Sequence, residues 1–128
     1  MSEIESKILN TQSGKLNDVA EVVYYLFHKE YKYENGRWKH LVNGEWKDDG
    51  DGLTLRRKIH TKLVNEFLRV IVKYNTTAFD QKTKGEKDKY FTISKNLGDL
   101  ALYLRTQEYR EKLLCNCASL WSQKSHVN

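Results

Sequence analysis

YKYENGRWKHLVNGEWKDDGDGLTL, residues 31–55, decides the fold. It holds two Asn-Gly dipeptides, Asn35-Gly36 and Asn43-Gly44, each between short runs rich in aromatic and alternating residues. Asn and Gly both tolerate positive φ, which the two central positions of a type I′ turn require, so Asn-Gly is the strongest short signal for a hairpin. Two such turns in succession predict a three-stranded antiparallel meander with strands at about residues 31–34, 37–42 and 45–47. Two-residue loops dictate its register: Tyr33 opposite Trp38, Tyr31 opposite His40, Leu41 opposite Trp46. One face then carries Tyr31, Tyr33, Trp38, His40 and Val42, and the other Lys32, Arg37, Lys39, Leu41 and Trp46. A sheet this small is marginal alone and must lean on helices.

The flanks supply them. Ser2 and Glu5 match a capping box, placing a short helix over 3–9. Residues 10–15 mix polar residues without a period and read as a loop or linker. Asn17 or Asp18 is then expected to cap a helix over 19–29, with Val19, Val22, Val23, Leu26 and Phe27 as its stripe against the Tyr/Trp face. After the meander, Asp51 or Thr54 is expected to cap the clearest helix, residues 53–74. There Leu55, Ile59, Leu63, Phe67, Val70, Ile71 and Tyr74 recur at three and four. Its first turn, Arg56-Arg57-Lys58, opposes the helix dipole, by chance or because an anion binds there. Residues 75–88 read as a polar loop, either solvated or a basic finger carrying Lys82, Lys84 and Lys87. A helix over 89–105 follows, with Ile93, Leu97, Leu100, Ala101 and Leu104 inward. Thr106 then caps a last helix over 107–122, and the short connection predicts that these two helices form a tight pair. The expected fold is α+β, mainly α: a bundle of about four helices with a three-stranded meander inserted after the first main helix.

The chain has 128 residues and a formal net charge of +5, unevenly spread. Residues 1–52 are net −3, residues 53–95 net +7 and residues 96–128 net +1. A basic middle beside an acidic start is either a polyanion footprint or a solvated helix face. No apolar run approaches the roughly 20 residues of a membrane span, and the N-terminus lacks a secretory pattern. Cys115 and Cys117 sit two apart on a helical pattern, which turns them to different faces; they read as small apolar residues rather than a disulfide or metal pair.

Motifs for phosphate loops, dinucleotide folds and nucleophile elbows are missing. His28, His40, His60 and His126 have no metal-ligand spacing. Asp48–Asp51 lacks the order of a calcium loop and reads as a turn. With no cofactor or metal implied, a complete enzyme is not expected. Two readings stay open for the aromatic–basic interleaving Trp38-Lys39-His40 and Trp46-Lys47: a platform for bases and phosphates, or tryptophans packed as core.

The helix before this aromatic meander, the Leu55-Arg56-Arg57 start of a long helix after it, and the closing pair NLGDLALYLRTQEYREKLLCNCASLW together resemble the poxvirus-type primase–helicase N-terminal-like domain. That module precedes the superfamily 3 helicase motor in large nucleocytoplasmic DNA viruses and has relatives in satellite-phage primases. Trp38, Trp46, Leu55, Arg56, Arg57, Leu113, Leu114 and Trp121 match as a structural signature. The resemblance implies one helicase-associated domain over 16–122, with residues 1–15 as an N-terminal arm and 123–128 as a frayed tail. It further implies a non-catalytic accessory role in viral DNA replication: supporting assembly of a hexameric ring and contacting single-stranded or forked DNA. ATP and Mg would belong to a motor domain of the same parent chain, at replication sites in the host cytoplasm and away from membranes. This chain would be an isolated domain, a fragment or a short stand-alone relative. Phosphate contacts are expected from Arg56, Arg57, Lys58, Lys82, Lys84, Lys39 and Lys47, and partner contacts from Trp46 and Trp38. A protein-interaction module without nucleic-acid contact is the alternative.

Overall fold

Both Asn-Gly turns form as expected. In the computed structural model, which describes residues 1–125, Asn35, Gly36, Asn43 and Gly44 all take positive φ. They join β1 (Tyr31–Glu34), β2 (Arg37–Val42) and β3 (Glu45–Gly50) in the order β1-β2-β3. The register puts Tyr33 opposite Trp38, Tyr31 opposite His40 and Leu41 opposite Trp46. Strand β3 runs further than its sequence pattern indicates because it contains a bulge. Trp38 faces Gly50 while Lys39 faces Asp48, so Asp49 is the extra residue.

That bulge joins the sheet to the helices. Asp49, only 8% exposed, accepts from the Thr54 N–H at 3.0 Å and the Leu55 N–H at 3.4 Å. With Gly52 as the N-cap residue, Asp49 reaches in to satisfy these free N–H groups of α3 (Leu53–Lys58), where Asp51 or Thr54 was expected to do so. A carboxylate at this end also offsets the basic first turn. Asp49→Ala should cost about 1–2 kcal/mol, read as a lowered urea midpoint at unchanged m-value. Thr54 is committed elsewhere: its hydroxyl lies 2.8 Å from the Tyr31 hydroxyl and 3.3 Å from His40 Nδ1. Burial pushes the Tyr31 phenol up to about 12, so it stays a neutral partner in this link.

Among the described residues five helical rods accompany the meander, where about four were expected. α1 (Glu3–Asn10) is capped by Ser2, whose hydroxyl accepts from the Glu5 N–H. The N-terminal segment packs on the bundle: Ile8 is fully buried, and Glu5 receives Lys73 at 2.8 Å. α2 spans Leu16–Phe27, earlier at both ends than 19–29. Asp18 lies inside its first turn, bonded to the Ser13 hydroxyl, rather than capping it, and the chain must leave the helix to enter β1. Residues 53–79 form one continuous rod: α3, a π-helical turn over Ile59–Leu63, and α4 (Val64–Phe79). α5 (Lys84–Leu104) and α6 (Gln107–Ser125) complete the fold.

Most of the expected loop 75–88 is therefore helix. Tertiary contacts hold it despite its polar composition. Ala78 is fully buried, Asn75 Oδ1 accepts from the Ser94 hydroxyl at 2.6 Å, and Phe79 meets Phe91 edge-on. Thr83 caps α5 by accepting from the Glu86 N–H. α4 and α5 form the tight antiparallel pair, while α6 packs mainly on α2, rather than α5 on α6. α6 still runs through 123–125 where fraying was expected; residues 126–128, with His126, lie outside the described residues.

The core is shared by sheet and helices. Trp38 is 2% exposed, with Trp121 edge-on to it at 5.1 Å and Tyr33 tilted on it at 5.0 Å. Trp121 donates its indole N–H to the Tyr31 carbonyl at 3.0 Å. The α2 stripe is buried as expected at Val19, Val22, Val23 and Phe27. No helix among the described residues is long and apolar enough to cross a membrane.

Candidate nucleic-acid interface

Leu53, Arg56, Arg57, His60 and Thr61 fall at helical spacing on one face of the rod that starts at Gly52. The π-helical turn widens the backbone where His60 and Thr61 emerge, and such turns recur at functional sites. The first turn of α6 lies opposite and contributes Gln107 and Arg110. Together these seven residues line an open groove of about 400 Å³.

Its charge is unevenly compensated. Arg56 is tied to carboxylates, with nitrogens 3.8 Å from Asp51 and 3.6 Å from Glu111. Arg110 is held by neutral acceptors instead: one guanidinium nitrogen donates to the Leu104 carbonyl at 3.0 Å and lies 3.0 Å from His60 Nδ1. Both fix its position and neither cancels its charge. Arg57 has no carboxylate partner among the described residues, and its carbonyl receives the Thr61 hydroxyl. The groove thus presents two guanidinium groups without carboxylate partners among the described residues, beside the positive end of α6.

The other expected phosphate ligands lie elsewhere. Lys58 turns away to Glu30, at 2.7 Å, and covers the Tyr31 and Phe27 rings. That hydrogen bond holds the Glu30 carboxyl below its usual range, against some opposing burial. A lowered value means the pair stabilises the fold above about pH 4.5, and this is lost as pH falls through the folded-state value. Glu30→Gln should therefore flatten the acid limb of a stability–pH profile and leave its alkaline limb unchanged. Lys82 and Lys84 are exposed at the α4–α5 turn, beyond the far end of the 53–79 rod, which is on the order of 40 Å long. Lys39 is half-buried between Lys32 and Asp48 on neighbouring strands, and Lys47 is exposed on β3. The seven expected cations are therefore dispersed, and only Arg56 and Arg57 share a groove.

The two tryptophans separate. Trp38 is core and cannot dock a partner. Trp46 is 41% exposed on the outer face of the meander, with the Lys32 ammonium 4.6 Å from its ring centroid. The Asp48–Asp51 turn is occupied by structural bonds: Asp48 pairs with Arg37 at 2.7 Å and Asp49 caps α3.

No family model, curated protein or solved structure matches this chain. The groove therefore stands on its own geometry. Sequence reasoning found Arg56 and Arg57 but missed His60, Thr61, Gln107 and Arg110. The helical spacing of residues 53, 56, 57 and 60 was available. The approach of Arg110 across a fold of some fifty residues was not.

Proposed function

We propose that this chain is a non-catalytic accessory domain that grips DNA phosphates in the groove between α3 and the start of α6. The observation that carries this is the pair Arg57 and Arg110, both facing the groove and neither neutralised by a carboxylate. Guanidinium groups held by neutral acceptors suit phosphate oxygens, which they can meet with two parallel hydrogen bonds. The resemblance to the primase–helicase N-terminal-like domain adds a setting: a module beside a superfamily 3 motor, in viral DNA replication, steadying a hexameric ring and guiding single-stranded or forked DNA.

A salt titration of oligonucleotide binding tests this. With about two to three phosphates neutralised, log K should fall against log salt with a slope near −1.5 to −2 for single strands. Binding that is absent at low salt, or indifferent to salt, would reject the DNA role.

A second reading has its own observation. Leu68, Val72 and Phe79 lie along α4 with Val72 62% and Phe79 72% exposed, and Leu102 is exposed on α5. Such a ridge suits a neighbouring protein subunit. Val72→Glu with Phe79→Lys should abolish partner docking or ring assembly while leaving oligonucleotide affinity unchanged if both surfaces operate. If Trp46 fluorescence answers a partner protein and never an oligonucleotide, the module is purely protein-binding.

A further inference from the structure

We propose that the Arg57–Arg110 groove is a site for a nucleotide bearing a terminal phosphomonoester, rather than a track for continuous backbone. This rests on the phosphate-binding reading above and narrows its ligand.

Three features point that way. The groove is short and open to solvent: about 400 Å³ between one helix face and one helix start, a volume within the range of small-ligand pockets. Its charge is concentrated. A backbone diester carries one negative charge, whereas a monoester carries about −1.5 to −2 near neutral pH and offers three acceptor oxygens. Arg57 and Arg110 together match the second better than the first. Donors of the right kind surround them. His60 Nδ1 faces an Arg110 N–H and must act as the acceptor, which places the imidazole proton on Nε2 and leaves that nitrogen as a donor.

In the first turn of α6, Tyr109 N–H goes to the Thr106 hydroxyl and Arg110 N–H to the Thr106 carbonyl. The N–H of Gln107, which lines the groove, has no partner among the described residues. Leu53, 56% exposed, lends the lining an apolar side chain on which a sugar or base can rest.

The same chemistry comes from a strand end or from a free mononucleotide. The experiment is competition against a labelled single strand by unlabelled strands of one sequence, ending in 5′-phosphate, 3′-phosphate or hydroxyl only, with dAMP and a phosphoserine peptide as further competitors. One phosphorylated end should compete at least about tenfold better than the hydroxyl strand, as expected for charge-assisted hydrogen bonds. Arg57→Gln with Arg110→Gln, checked for folding by its thermal transition, should erase that preference. Competition by dAMP at its own saturable site assigns the groove to free nucleotide; competition by phosphorylated strands alone assigns it to strand ends. Equal competition by all strands overturns the proposal and leaves the backbone-phosphate reading standing. No strand binding at all overturns both. A phosphoserine peptide that competes as well as the best strand overturns the nucleotide assignment.

Discussion

Trp38→Ala should destabilise the protein by about 3–5 kcal/mol, the usual cost of emptying a large aromatic site in a core. That is a large share of the roughly 5–15 kcal/mol that holds a domain of this size together. The indole joins three parts of the structure. It packs against Tyr33 in its own sheet and Trp121 on α6, and it lies under the turn at Gly52. The Gly52 contact is close: a Cβ built there would sit 3.2 Å from Trp38 Cδ1 and 3.4 Å from Leu114 Cδ1, on a backbone with φ of +95°. Glycine is required at 52 for both reasons. Removing the indole would leave a cavity between meander and bundle. Trp46→Ala is the matched comparison; it removes a half-exposed ring and should cost under about 1 kcal/mol. Urea unfolding of both variants is the measurement. If the Trp38 variant stays within 1 kcal/mol of the parent chain, the meander is an appendage and not part of the core.

The second large effect is on binding. Arg57→Glu with Arg110→Glu should lower oligonucleotide affinity by about a hundredfold or more at low salt. Two phosphate contacts are removed and two like charges are set against the strand. The salt slope should flatten by about 1.4 for single strands, at roughly 0.7 for each lost contact. Lys82→Glu with Lys84→Glu changes net charge by the same amount at the far end of the 53–79 rod. It should shift affinity only through long-range attraction, which salt screens beyond about 10 Å. A larger loss from the Lys82/Lys84 pair than from the Arg57/Arg110 pair would move the interface to the α4–α5 turn. Arg110 also holds the Leu104 carbonyl, so the thermal transition of the arginine variant must be checked alongside.

Asn35-Gly36 and Asn43-Gly44 were enough, from sequence, to define the meander and the pairing of Tyr33 with Trp38, because a two-residue turn sets its own register. The apolar stripes on α2, on the 53–79 rod and on α5 were legible for the same local reason: helical period follows from neighbours three and four apart. The capping box at Ser2 and the Thr106 start of α6 were local signals too. Residues 75–88 misled because their polar composition hides the few anchors, Asn75 bonded to Ser94 on α5 and the buried Ala78, that hold them in place. Asp49 was overlooked as a cap because a bulge, which depends on cross-strand pairing, turns its side chain inward.

Local chemistry alone therefore settled the turns, the register beside them and the apolar face of the main helices. Only the tertiary structure decided which helices pair, α4 with α5 and α2 with α6, and that Arg110 comes to stand beside His60 in the groove that Arg57 also lines. Those contacts join residues far apart in the chain, chosen by how whole surfaces fit, and no short stretch of sequence carries that information.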